Sequence, residues 1–120
     1  MPRILIVDDE VAVRSMLAHY FARAGFEVNV AASALEAMEI CDAKQFDAVL
    51  SDVDMPRMNG HELARWMAVK HPRTVSVLMS GFGIDCEECP LAGGCVLLRK
   101  PFRPQEAVAQ VTRILNEPKD

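Results

Sequence analysis

Val49-Leu50-Ser51-Asp52-Val53-Asp54-Met55-Pro56 is the stretch on which the fold turns. Val49 and Leu50 are apolar and β-favouring, so it opens as a buried strand. Pro56 cannot continue a central strand, and Asn59-Gly60 marks a turn just beyond it. Asp52 therefore stands where a strand ends and a loop begins. In open α/β sheets, ligands bind outside the carboxyl ends of the strands. Ile4-Leu5-Ile6-Val7 has the same design, an apolar run that ends in Asp8-Asp9-Glu10. If the two runs lie side by side in a parallel sheet, Asp8, Asp9 and Asp52 converge at one edge. Three crowded carboxylates repel one another. A hard divalent cation with oxygen ligands, commonly Mg²⁺, relieves that repulsion.

Working outward, the rest of the chain alternates. After Asp8-Asp9-Glu10, the residues Val11, Met16, Leu17, Tyr20, Phe21 and Ala24 recur near helical spacing, and Gly25 is a natural stop. Acids at the start of this helix would suit the positive end of its dipole. Glu27 to Ala31 reads as a short strand. Ser33 caps the next helix, with Glu36 as capping-box partner and Leu35, Met38 and Ile40 as apolar positions, ending near Lys44. A third helix runs from His61 to His71 with Leu63, Trp66, Met67 and Val69. Val75 to Met79 is a strand ending at Ser80-Gly81, and Val96-Leu97-Leu98 is another ending at Arg99-Lys100-Pro101. Pro104 opens a last helix to about Asn116, with Ala107, Val108, Val111, Ile114 and Leu115 as its stripe. This alternation predicts a parallel α/β sheet with helices on both faces.

The totals narrow the function. A length of 120 residues suits one domain, residues 1–120, and 51% hydrophobic residues supply a well-buried sheet. A net charge of −4 argues against a domain that grips nucleic acid directly, which needs a basic face. No apolar run approaches the roughly 20 residues of a membrane span, and the run after Met1-Pro2-Arg3 is short and soon followed by acids, so no signal peptide is expected. A cytoplasmic location is expected, with the four cysteines starting as thiols. The chain ends soon after its last helix, so no effector domain is expected within it.

Ser80 and Lys100 end the fourth and fifth strands, so a parallel sheet brings both to the edge that holds Asp8, Asp9 and Asp52. The chemistry this points to is phosphoryl transfer to a carboxylate. Asp52 is the candidate nucleophile, because an aspartate can form an acyl phosphate. Mg²⁺ on Asp8 or Asp9 offsets charge on the transferring oxygens. Lys100 offers a compact positive charge and Ser80 a hydroxyl. Taken singly, each piece has a plainer explanation: Asp8-Asp9-Glu10 is equally a solvated helix start, Lys100 a surface lysine, Ser80 an ordinary strand end. His19, His61 and His71 read as surface or helix-end residues. The methionines Met16, Met38, Met55, Met58, Met67 and Met79 read as core or loop packing. The functional case rests on the pieces coinciding.

Together, Val7-Asp8-Asp9-Glu10, Ser51 to Gly60, Ser80-Gly81 and Lys100-Pro101-Phe102 resemble a response-regulator receiver domain of two-component signalling, over nearly the whole chain. The resemblance implies a flavodoxin-like, doubly wound sheet of five parallel strands. It implies Asp52 as phosphoacceptor and Asp8 and Asp9 as the acidic pair, with Asp9 the more direct metal ligand. It gives Asp54 a backbone carbonyl on the metal, Ser80 the hydroxyl switch role and Lys100 the lysine role. The implied cofactor is Mg²⁺. The implied partners are a histidine kinase or histidine phosphotransfer protein, and a downstream protein the sequence does not name. On that footing the chain is a signalling module, limited as a catalyst to its own phosphorylation and slow hydrolysis.

Two departures stand out. The family usually has Tyr or Phe where this chain has Leu97, so the usual coupling of Ser80 to an aromatic ring is altered, with Phe82 a nearby substitute. The family's fourth helix should fall between Ser80 and Lys100. That segment instead holds Gly81, Gly83, Pro90 and Gly93-Gly94, which leave at most a short turn near Asp85 to Cys89. The fourth helix is therefore expected to be shortened or absent, and the partner surface remodelled. Cys86, Cys89 and Cys95 share this segment; free thiols or an adventitious disulfide come first, then a metal site, then a redox switch. Two rival functions follow: a metal or redox sensing module acting through those cysteines, and a small phosphohydrolase using the Asp52-x-Asp54 pair.

Overall fold

A computed structural model of the chain describes residues 2–53, 55, 57–80, 96–99 and 102–116, with the side chains of His61, Ser80 and 96–99 outside the description. Its elements are β1 (Arg3–Val7), α1 (Val11–Arg23), β2 (Glu27–Ala31), α2 (Ala34–Ala43), β3 (Ala48–Asp52), α3 (Gly60–Lys70), β4 (Val75–Ser80), β5 (Val96–Arg99) and α4 (Pro104–Asn116). The strands form one parallel sheet in the order β2-β1-β3-β4-β5. Chain order reverses between β1 and β3, which is the topological switch point of a doubly wound sheet.

The central strands are buried on both faces because their alternate residues feed two cores. Ile4, Ile6, Ala48, Leu50, Val77 and Met79 pack with Leu17 and Phe21 of α1 and Ala107 and Val111 of α4. Leu5, Val7 and Val49 pack on the other side with Ala34, Ala37 and Cys41 of α2 and Leu63 and Met67 of α3. Phe21 meets Phe26 edge to face, with centroids 5.0 Å apart, a pairing worth about 0.5–1.5 kcal/mol beyond its buried area.

The helix starts and stops follow local chemistry. Gly25 takes φ +96°, a left-handed conformation that stops α1 without a Cβ penalty. Ser33 accepts a hydrogen bond from the Glu36 N–H at 3.2 Å, which gives α2 its expected N-cap but only one half of the expected capping box. The start of α3 carries a full capping box instead of a simple turn. Asn59 accepts from the Glu62 N–H at 2.9 Å, and the Glu62 carboxylate accepts from the Asn59 N–H at 3.2 Å.

Several apolar expectations are corrected. Val11, Met16, Leu35 and Val69 are exposed, at 65%, 39%, 49% and 78%. Each helix packs one face on the sheet, so only a narrow stripe is buried, and these four fall outside it. The first turn of α1 holds no acid, and Glu10 at its N-cap makes no side-chain cap bond. The acids instead precede the helix, where Asp8 takes up the Glu10 N–H. His19 is exposed, and His71 lies half-buried just past α3, its Nε2 3.2 Å from Asp42 Oδ1. Residues 81–95, with Phe82, Cys86, Cys89, Cys95 and the expected loss of a helix, lie outside the described residues.

Candidate functional site

Strands β1 and β3 end side by side. Val7 pairs with Ser51, so Asp8 and Asp52, each one residue further, stand next to each other at the carboxyl edge. Carboxylate oxygens of Asp8, Asp9 and Asp52 all lie within 4.8 Å of one another. Asp8 is fully buried, Asp52 is 4% exposed, and Asp9 faces solvent. Buried carboxylates demand compensating partners.

Asp8 is fixed through backbone and side chain together. Its N–H donates to the Ala31 carbonyl at 3.2 Å. Its Oδ1 accepts from the Glu10 N–H at 2.9 Å. Its carbonyl accepts from Arg14 Nη1 at 2.7 Å.

Asp52 is fixed through its backbone. Ser51 Oγ donates to the Asp52 carbonyl at 3.1 Å. The Val53 N–H donates to Met79 at 2.9 Å, and the Gly60 N–H to Val53 at 3.1 Å. Gly60 brings α3 against the Asp52 backbone. A Cβ there would lie 2.5 Å from the Asp52 carbonyl oxygen and 3.0 Å from Val53 Cα. Between the two, Arg57 holds φ +71°, a left-handed conformation that costs a non-glycine residue about 1–2 kcal/mol.

The donor set fits Mg²⁺. It is all oxygen, and octahedral coordination at about 2.1 Å places opposite ligands about 4.2 Å apart. Adjacent ligands lie about 3.0 Å apart, so a bound ion would draw together oxygens that now lie within 4.8 Å of one another. Ser80 ends β4 one residue past Met79, the partner of Asp52, and pairs with Arg99; the Ser80 side chain, Asp54 and Lys100 lie outside the described residues. Sequence reasoning missed the roles of Arg14 and Gly60. The capping box Asn59-x-x-Glu62 was the available signal that α3 starts at Gly60 rather than after a free turn.

Two perturbed groups lie away from this cluster. Burial, with help from Asp42, pushes the Cys41 thiol up to about 11. The hydrogen bond and charge of Arg3 hold Glu27 below its usual value.

Residues 4–112 match the family model described as the response regulator receiver domain. The transcriptional regulatory protein SrrA of Staphylococcus aureus is 31% identical over 114 residues, which cover 93% of this chain and 47% of that protein. The chain thus spans about half the length of the curated relatives it matches. The chemotaxis response regulator CheY4 of Vibrio cholerae has a TM-score of 0.86 at 30% identity, covering 95% of this chain and 98% of that one. A CheY-like receiver domain protein from Methanospirillum hungatei has a TM-score of 0.88 at 27% identity, covering 97% and 94%. Sheet order, paired strand ends and family match agree, and the chain belongs to the response-regulator receiver domain family of two-component signalling.

Proposed function

We propose that this chain is a single receiver domain that accepts a phosphoryl group on Asp52 from a histidine kinase or histidine phosphotransfer protein. The observation that carries the proposal is the convergence of Asp8, Asp9 and Asp52 at the switch point of the sheet. In the transfer, the phosphorus–nitrogen bond of a phosphohistidine breaks and its electron pair stays on the ring nitrogen. A phosphorus–oxygen bond forms at an Asp52 carboxylate oxygen. The ring, protonated on its other nitrogen, leaves as neutral imidazole.

Asp8, Asp9, Asp52 and the Asp54 carbonyl would hold Mg²⁺, which offsets charge on the transferring oxygens when bound. Three hydrogen bonds position Asp8, and backbone bonds position the end of β3 that carries Asp52, so the chain sets acceptor and Asp8 side by side before the donor arrives. Lys100 and Ser80 are assigned to the phosphoryl oxygens, the lysine by charge and the serine by its hydroxyl. The acyl phosphate then biases the domain towards a state that binds a downstream protein. A cytoplasmic location goes with that role. Among the described residues, no helix is long and apolar enough to cross a membrane.

The test is intact mass after incubation with Mg²⁺ and a small acyl phosphate. One phosphoryl group should add to the wild type and none to Asp52→Asn. Equal labelling of the two proteins would sink the assignment. Steady release of phosphate from simple esters would instead favour a phosphohydrolase.

A further inference from the structure

We propose that Arg14 is a positioning residue for the acidic pair, an inference that rests on the Mg²⁺ site proposed above. Arg14 is half-buried in the second turn of α1. Its guanidinium reaches back six residues and donates to the Asp8 carbonyl at 2.7 Å. Its own N–H donates to the Glu10 carbonyl at 3.1 Å. The backbone bond is the first regular bond of α1, open to any non-proline residue there, so the guanidinium bond to Asp8 is what the Arg14 side chain itself adds.

The Asp8 carbonyl lies past the last residue of β1 and before the N-cap of α1, in the turn that carries the acidic pair from strand to helix. A charge-assisted bond from a planar guanidinium is short and directional. With the Asp8 N–H on Ala31 and its Oδ1 on the Glu10 N–H, the bond from Arg14 completes a three-point fixation. It sets where the Asp8 carboxylate, and Asp9 one residue on, stand relative to Asp52.

Two roles for Arg14 make opposite predictions. A guanidinium that acted only as a nearby positive charge would oppose a divalent cation, and its removal would tighten Mg²⁺ binding. A guanidinium that orients the ligands has the reverse effect, because loss of an outer-shell partner typically costs about 10- to 100-fold in metal affinity.

The experiment is calorimetric titration of Mg²⁺ into wild type, Arg14→Met and Arg14→Lys, with urea unfolding of each. Arg14→Met should bind Mg²⁺ about 10-fold more weakly or worse. Arg14→Lys, which keeps the charge and loses the fork, should fall between the two. Equal or tighter binding by Arg14→Met overturns the inference. Should Arg14→Met fail to fold, Arg14→Lys decides alone: weaker Mg²⁺ binding at an unchanged unfolding midpoint supports the inference, and wild-type binding refutes it. A folded wild type that takes up no Mg²⁺ refutes the site itself, and the role of Arg14 with it.

Discussion

Replacing Gly60 with alanine tests how the phosphoacceptor is seated. Helix propensity alone makes Gly60→Ala favourable, by up to about 1 kcal/mol in a helix interior and less at a first position. The packing opposes it. The added Cβ would lie 2.5 Å from the Asp52 carbonyl oxygen, 3.0 Å from Val53 Cα and 3.1 Å from the Asp52 carbonyl carbon. All three atoms are backbone, so no side-chain rotation relieves the contact. Real Cβ atoms essentially never come closer than 3.0 Å, so α3 and the end of β3 must part by at least about 0.5 Å. Overpacking of this kind costs about 1–3 kcal/mol. Stretching the 3.1 Å bond from the Gly60 N–H to Val53 costs up to about 1 kcal/mol more.

The clash wins, and the net expectation is a loss of about 2 kcal/mol, roughly 8 °C in melting temperature for a domain of this size. Because Asp52 moves with its backbone, labelling should also slow. A misplacement of about 1 Å can cost 100-fold, so about half that distance predicts roughly 10-fold. Urea unfolding reads the first quantity and the initial rate of labelling by a small acyl phosphate the second. A Gly60→Ala protein at least as stable as wild type and labelled at the wild-type rate would refute the close approach of α3 to Asp52.

Two further outcomes follow from the backbone and the core. Arg57→Gly relieves a left-handed residue at φ +71°; the gain of about 1–2 kcal/mol, less about 0.5–1 kcal/mol for the freer unfolded chain, should raise stability slightly in urea, and a clear loss would contradict the strain. The Cys41 thiol is raised from 9.0 to about 11 by burial. Its folded value exceeds its unfolded one, so the stability tied to it is fully present below pH 9 and is lost as pH rises towards 11. Cys41→Ala should flatten the fall in stability between those pH values, and an identical alkaline slope would show that the thiol titrates normally in the folded chain.

The sheet was legible because its central strands are simple. Ile4 to Val7 and Val49-Leu50 are apolar without interruption, which only a strand covered on both faces tolerates. Their acidic ends, Asp8 and Asp52, needed only parallel neighbours to meet, and the register of Val7 with Ser51 provides that. Less legible was which apolar residues a helix leaves outside. Leu35 and Val69 lie in helices as periodicity requires, yet they are exposed, because the width of the buried stripe is set by the sheet and not by the helix.

The local seating of the site was harder still to read. Arg14 touches Asp8 across six residues, a reach that no short spacing rule captures. Gly60 reads as a turn residue, whereas the structure uses its missing side chain for a close approach. Ser80 and Leu97 are placed by backbone register, with Leu97 beside Leu78 in the β4–β5 pair.

The most direct measurement is the position of the phosphoryl group in the chain. After labelling with acyl phosphate and Mg²⁺, borohydride reduces the acyl phosphate of an aspartate to homoserine. Cleavage after Lys44 and Arg57 releases residues 45–57, which contain Asp47, Asp52 and Asp54. Homoserine at position 52 alone is the predicted result. Homoserine at 47 or 54, or an unmodified peptide from folded protein that binds Mg²⁺, would contradict Asp52 as the phosphoacceptor.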